Sequence, residues 1–210
     1  AGVTKATKDP SGGAIERDAQ GDPAGVFIDN AQGLIERAIP AMSRAQVKNA
    51  IKLAIAEMHR WGLTGVHDAG ASATVLELYE ELGREGALNI RLNAMISDHA
   101  PTIEAWFKRG PQNGLHDGML WVRSVKLYQD GALGSRGAAL LAPYADDTTN
   151  TGLLVTAADT LEMIARVASD SGYQVCVHAI GDRANRLTLR AFERAAGGGG
   201  ELRKKRFRIE

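Results

Sequence analysis

Apolar positions along this chain switch repeatedly between helical and strand-like spacing. Ser43 opens a segment in which Val47, Ile51, Ala54, Ile55 and Met58 form a stripe at helical spacing. Gln46 completes a capping-box pattern with Ser43, and Gly62 supplies a stop. Further helices are predicted around 74–82, over 103–108, from an opening at Thr156 and Asp159 with Leu161, Ile164, Ala165 and Ala168 on its apolar side, and around 183–195. Between them lie short apolar runs at 63–68, 90–96, 120–129, 173–178 and 207–209, which predict strands. Regular alternation of helix and strand predicts a parallel sheet with crossover helices, either open and doubly wound or closed as a (β/α) barrel.

Two stretches depart from this rhythm. Residues 1–42 are rich in Gly, Pro and Asp, with short apolar pieces such as Val26-Phe27-Ile28, and read as a hairpin-bearing excursion. Residues 130–157 form a long loop with several turn signals, and loops of that length are usually functional. The glycines at 197–200 read as a flexible connection, and Arg203-Lys204-Lys205-Arg206 as a solvated surface turn.

Composition narrows the function classes. The 25 Lys and Arg residues balance 25 Asp and Glu in 210 residues, which leaves no basic excess for a nucleic-acid footprint. Aromatic residues make up 5% of the chain, too few for a base-stacking surface. A single cysteine excludes an internal disulfide framework and suits a reducing, cytoplasmic setting. No apolar run reaches the ~18 residues that cross a bilayer, so no membrane partner is expected.

In either α/β architecture, chemistry gathers at the C-terminal strand ends. Those ends carry His67/Asp68, Asp98/His99, Lys126/Asp130, His178 and Glu210. Strand parity puts Ser124, Lys126, Tyr128 and Asp130 on one face, with Val125 and Leu127 on the other. A lysine inside a buried strand is costly unless paired, neutralised or modified. Lys126 therefore either pairs with an inward carboxylate or serves as a catalytic or metal-bridging group. His178 shares a face with Gln174 and Cys176, as a hydrogen-bonded structural group or as a metal ligand. Parity does not decide whether His67 or Asp68 faces inward. Asp182 reads as a helix-start residue favouring the dipole, and Cys176 as a small core residue. Walker A, dinucleotide-fingerprint and Gly-x-Ser-x-Gly patterns are absent from the sequence. An anion site at Gly181-Asp182 is disfavoured because the aspartate repels phosphate.

Taken together, Gly65-Val66-His67-Asp68-Ala69-Gly70, Val125-Lys126-Leu127 running into Asp130-Gly131-Ala132-Leu133-Gly134-Ser135-Arg136, and His178-Ala179-Ile180-Gly181-Asp182-Arg183-Ala184 resemble the amidohydrolase superfamily. The branch is that of N-substituted formamide deformylases, which Tyr144, Asp146, Asn150, Gly152, Gly12-Gly13 and Ile39-Pro40 also fit. The resemblance implies an α/β fold of the (β/α)8 TIM-barrel type, here incomplete. Residues 43–210 would form about five of eight units, the second to sixth strands, with 1–42 as an excursion on the barrel.

The same resemblance implies a divalent metal cofactor, zinc being the expected ion. Lys126 would be carboxylated and bridge metal ions, with His178 a further ligand. Asp130 and Arg136 are candidate catalytic residues, shaping the site or binding substrate from the long loop. The implied activity is hydrolysis of non-peptide C–N bonds in small amides, formamides or cyclic amides by metal-activated hydroxide. The alternative is a regulatory or binding protein that keeps the barrel without chemistry. The family's first-strand His-x-His, a later histidine and an eighth-strand aspartate have no counterpart in these residues. The expectation is therefore a piece of a larger protein, inactive alone, with open sheet edges that invite self-association.

Overall fold

The computed structural model describes residues 1–97 and 100–210, without the side chains of residues 100–102. The pair Asp98/His99 therefore lies outside the described residues. Strands β1 (Gly13–Arg17) and β2 (Pro23–Asp29) form an antiparallel hairpin, followed by a 3-10 turn at Asn30–Gln32 and the short helix α1 (Gly33–Glu36). Helix α2 (Arg44–Arg60) then leads into β3 (Gly65–Ala71), α3 (Ala73–Arg84), β4 (Arg91–Ile96) and α4 (Ala100–Arg109). Next come the short strand β5 (Gln112–Gly114), the turn α5 (Leu115–Gly118) and strand β6 (Leu120–Tyr128). After the long loop the order is α6 (Ala158–Asp170), β7 (Gln174–His178), α7 (Asp182–Ala195), α8 (Gly199–Lys205) and β8 (Arg208–Ile209).

Helix starts follow local chemistry. Ser43 accepts from the Gln46 N–H (3.3 Å), while Gln46 Oε1 accepts from the Ser43 N–H (2.8 Å), a complete capping box. Ser72 caps α3 in the same sense by accepting from Val75 N–H. The opening expected at Thr156 is not a side-chain cap: α6 begins at Ala158, and the Thr156 carbonyl instead accepts from Gln129 Nε2 at 2.8 Å. The glycine run also conceals structure. Helix α8 starts inside it, so Arg203, Lys204 and Lys205 form a helix's last turn, where cations complement the dipole, rather than a loop.

The main sheet runs β3-β4-β6-β7-β8, every neighbouring pair parallel, with β5 added antiparallel to β6. Strands succeed one another in one direction without the reversal that defines a doubly wound sheet. One face packs on helices: Leu92, Ala94, Ile96, Val122, Val125, Leu127, Val175 and Val177 meet Leu76, Leu82, Leu161, Ala165 and Phe192 in one core. The opposite face carries Asn93, Met95, Ser124, Lys126, Gln174, Cys176 and His178. This is a partial (β/α) barrel, with helices outside and a polar lumen inside. Val122 and Val125 both face the helices because the register slips between Ala94 and Met95 opposite them, leaving Arg123 as the extra residue of a bulge.

Helix α2 is held differently from the rest. Its only fully buried residue is Ile55, and Leu53 and Trp61 are exposed. Charge ties it to α3: Arg44 meets Glu77 (2.9 Å) and Glu81 (2.8 Å), and Lys48 meets Glu81 and Glu85 (2.6 Å to the latter). Hydrogen bonds from Lys48 and then Arg44 hold the Glu81 carboxyl down at about 2, against an ordinary 4.5. Because the folded value is the lower one, the stabilisation is complete above 4.5 and is lost as pH falls towards 2. Glu81→Gln should therefore lower the melting temperature at neutral pH, with a gap to wild type that closes as pH drops through this window. Melting curves of both proteins across the acid range check it, and 1 M salt should shrink the gap as well.

Candidate active site

The ends of β6 and β7 bring Tyr128 and His178 side by side at the C-terminal side of the sheet, with Lys126 beneath them and the Ala69 carbonyl of β3 in reach. Lys126 is 4% exposed. Its Nζ donates to the Leu127 carbonyl at 3.4 Å and lies 4.1 Å from the centroid of the Tyr128 ring. The Tyr128 ring in turn stands 5.7 Å from the His178 imidazole, and its hydroxyl donates to the Ala69 carbonyl on β3 (3.4 Å). Tyr128 and His178 are register partners, as are Lys126 and Cys176. Tyr128 thus links the lysine, the histidine and β3, which lies beyond β4 in the sheet. Strand parity placed it on this face, but nothing in the sequence pointed to that linking position.

His178 Nε2 lies 3.4 Å from the Gly131 carbonyl, and its backbone carbonyl accepts from Gln129 N–H at 2.9 Å. Cys176, one pair below, is fully buried, and burial pushes its thiol up, away from thiolate chemistry. The structure also separates His67 from Asp68. His67 points into the lumen, with Nδ1 3.0 Å from Asn93 Nδ2, whereas Asp68 turns to the helix layer and accepts from the Tyr79 hydroxyl at 2.6 Å.

Asp130 lies beyond the end of β6, so it leaves the inward row that parity assigned to it. Its carboxylate is 1% exposed and accepts from three backbone amides: Ile180 N–H on Oδ1 (2.9 Å), and Gly181 N–H and Ala139 N–H on Oδ2 (2.8 Å each). These bonds fill three of its roughly four acceptor sites and tie the long loop to the turn between β7 and α7. Arg136 sits at φ 54° on the exposed part of the loop and pairs with Asp146 at 2.7 Å. That ion pair holds the Asp146 carboxyl below its usual range, and it places Arg136 as a loop brace. Asp182 braces the same loop, accepting from Leu141 N–H at 2.8 Å as well as from Arg183 N–H.

A residue that sequence reasoning passed over also reaches this loop. Asp29, at the end of the hairpin, lies against Gly131 and Gly137, and a Cβ on either glycine would collide with its carboxylate. Burial raises its carboxyl first, then the nearby Asp130 charge, while His178 opposes the shift. The one sequence signal was the pair of glycines in Gly131–Gly137, whose missing side chains make the room.

The donor set bears on whether a divalent ion fits. His178 offers an imidazole nitrogen, and Lys126 becomes a ligand only once its cation is removed or carboxylated. Among the described residues no three His, Cys, Asp or Glu side chains converge on a metal position. Lys126 and His178 would therefore not hold an ion alone. Nor is any helix of the described residues long and apolar enough to cross a membrane.

A sequence profile described as amidohydrolase family matches residues 1–209. The chain is 35% identical over 199 residues to a Bacillus subtilis (strain 168) protein, YtcJ, whose name assigns it to the amidohydrolases; the match covers 92% of this chain and 37% of that one. It is 26% identical over 200 residues to an N-substituted formamide deformylase of Arthrobacter pascens, covering 91% of this chain and 36% of the relative. Among solved structures, an uncharacterized metal-dependent hydrolase from Pyrococcus furiosus superposes with a TM-score of 0.69 at 25% identity, over 98% of this chain and 45% of that chain. The chain thus spans a little over a third of these curated relatives' length.

Asp130 yields a direct test. Asp130→Ala strands three buried amides and should cost about 3–5 kcal/mol of unfolding free energy, read from urea denaturation. Asp130→Asn keeps one acceptor oxygen and should fall between the two. A loss near zero for the alanine variant would refute the clamp.

Proposed function

The chain belongs to the amidohydrolase family, and from that premise we propose that it forms the second to sixth β/α units of a metal-dependent hydrolase of non-peptide C–N bonds. The observation that carries this is the buried Lys126, at the C-terminal end of an inward strand face and one strand from His178. In this reading Lys126 is carboxylated. One proton first leaves the ammonium for solvent and frees the Nζ lone pair. An N–C bond then forms between Nζ and CO2, one C–O electron pair moves onto oxygen, and a second Nζ proton leaves to solvent. A buried cation thereby becomes an anionic oxygen donor, which removes the cost of a charged amine in the lumen.

Lys126 as carbamate and His178 then contribute ligands, and the remaining ligands come from parts of the parent protein outside these residues. Imidazole with an anionic oxygen suits zinc. A bound divalent ion supplies Lewis acidity and lowers the pKa of water. The residues of this chain position and exclude: Tyr128 packs between lysine and histidine, and Asp130 fixes the loop over them. Substrates are small amides, formamides or cyclic amides.

Lys126→Ala in the full-length parent should strip metal, read by elemental analysis, and lower amide turnover by on the order of 100-fold or more. Unchanged metal content and turnover would sink the lysine's role. The isolated 210-residue chain should show no metal-dependent turnover above buffer, and robust hydrolysis by it would overturn the shared-ligand reading.

A further inference from the structure

Asp29 combines three features that each work against stability. Its backbone is at φ 49°, ψ −122°, a region that glycine adopts readily and an L-residue only with strain. Its Oδ2 is buried with no hydrogen-bond partner, and no described residue donates to its other oxygen. Its carboxylate also lies near a second one, Asp130. A residue kept for folding at this position would be glycine or asparagine, which tolerate positive φ and bring no charge.

The surroundings are built to receive the side chain. Gly131 and Gly137 leave the room it occupies, and Gly131 also presents its carbonyl to His178. The hairpin itself is anchored next to it: Asn30 Nδ2 donates to the Ser11 carbonyl (2.9 Å) and the Val155 carbonyl (3.2 Å), and Ala31 is fully buried. Asp29 is thus held in place by its neighbours on both sides, at the mouth where β6 and β7 end, with an acceptor that the described residues leave unsatisfied.

We propose that Asp29 is a substrate-binding residue of this site, accepting the N–H of the scissile amide nitrogen and so selecting N–H-bearing amides and their product ammonium ions over N,N-disubstituted amides. The substrate part of this rests on the hydrolase reading above; the stability part does not. A carboxylate without donors gains a charge-assisted hydrogen bond when such a group arrives, and an N-alkylated nitrogen offers none.

The test compares wild type and Asp29→Asn in the full-length parent, because asparagine keeps the shape between the two glycines and removes the charge. Three readouts are taken: melting temperature, kcat/KM on N-butylformamide and N-butyl-N-methylformamide, and binding of butylammonium by calorimetry. The expected result is an equal or higher melting temperature, a ~10- to 100-fold loss of kcat/KM confined to the N–H substrate, and weakened butylammonium binding. A lower melting temperature, or an equal loss on both amides, would show a structural role and overturn the proposal. If wild type hydrolyses neither amide, formamides fall from the hydrolase reading, and butylammonium decides alone: affinity that drops in the variant upholds Asp29 as a donor-binding residue, and no affinity or no change overturns it.

Discussion

The Asp130 carboxylate is the constraint on which the candidate site depends. It lies just past the end of β6 and gathers amides from two distant places, Ala139 in the long loop and Ile180-Gly181 in the turn between β7 and α7. A buried carboxylate is tolerated only when its lone pairs are satisfied, and backbone N–H groups satisfy them without adding a second charge. The geometry that results is tight. A Cβ on Gly181 would run into the Ala139 carbonyl, and one on Gly152 into the Ala138 carbonyl, so the loop closes only with glycine at both positions. The Tyr144 hydroxyl donates to that same Ala138 carbonyl at 2.9 Å, which locks the loop from outside.

Because the clamp holds the β7–α7 turn against the end of β6, it also sets His178. The histidine backbone is tied to Gln129, and Gln129 reaches across to the Thr156 carbonyl, so both ends of the 130–157 loop are bound to the residues flanking the site. Lys126 needs no such loop. It stands mid-lumen on a strand whose other face is all aliphatic, and the packing of Val125 and Leu127 fixes its direction. Two kinds of order therefore meet: hydrophobic burial orients the lysine, and a hydrogen-bonded charge orients the histidine's surroundings.

This difference explains what could be read from the residues alone. Period-two alternation exposes a strand's two faces, so the inward positions of Lys126, Cys176 and His178 were legible, as were the order of helices and strands and the Ser43 cap. Alternation said nothing at His67-Asp68, where neither neighbour pattern is decisive, and a hydroxyl on a separate helix, Tyr79, draws Asp68 outward. How Asp130 shapes the site was not legible, because its partners are backbone amides 9, 50 and 51 residues away, and backbone amides leave no mark in side-chain pattern. Asp29 was invisible for the opposite reason: what marks it is strain and an unmet acceptor, which only coordinates reveal. Helix α8 was hidden by glycines that disfavour helix locally and yet are overridden by Leu202 packing on the core.

The lumen carries the last step of reasoning. Below Lys126, a cavity of about 690 Å³ has His67, Asn93, Arg123, Gln174 and Arg208 in its wall beside Pro111, Tyr173 and Phe207. Asn93 Oδ1 and Arg208 Nε in that wall, and Ser124 Oγ on the same face of the sheet, are buried without a hydrogen-bond partner among the described residues. Each such atom costs about 1–3 kcal/mol if left so, whereas the outer face of the same strands carries aliphatic side chains that meet the helices in one core. The helix side of the sheet is held by apolar burial, and its inner side by polar groups that gain from partners. Any group set opposite Asn93, Ser124 and Arg208 would be selected by the same need, a donor for the amide oxygen and an acceptor for the guanidinium.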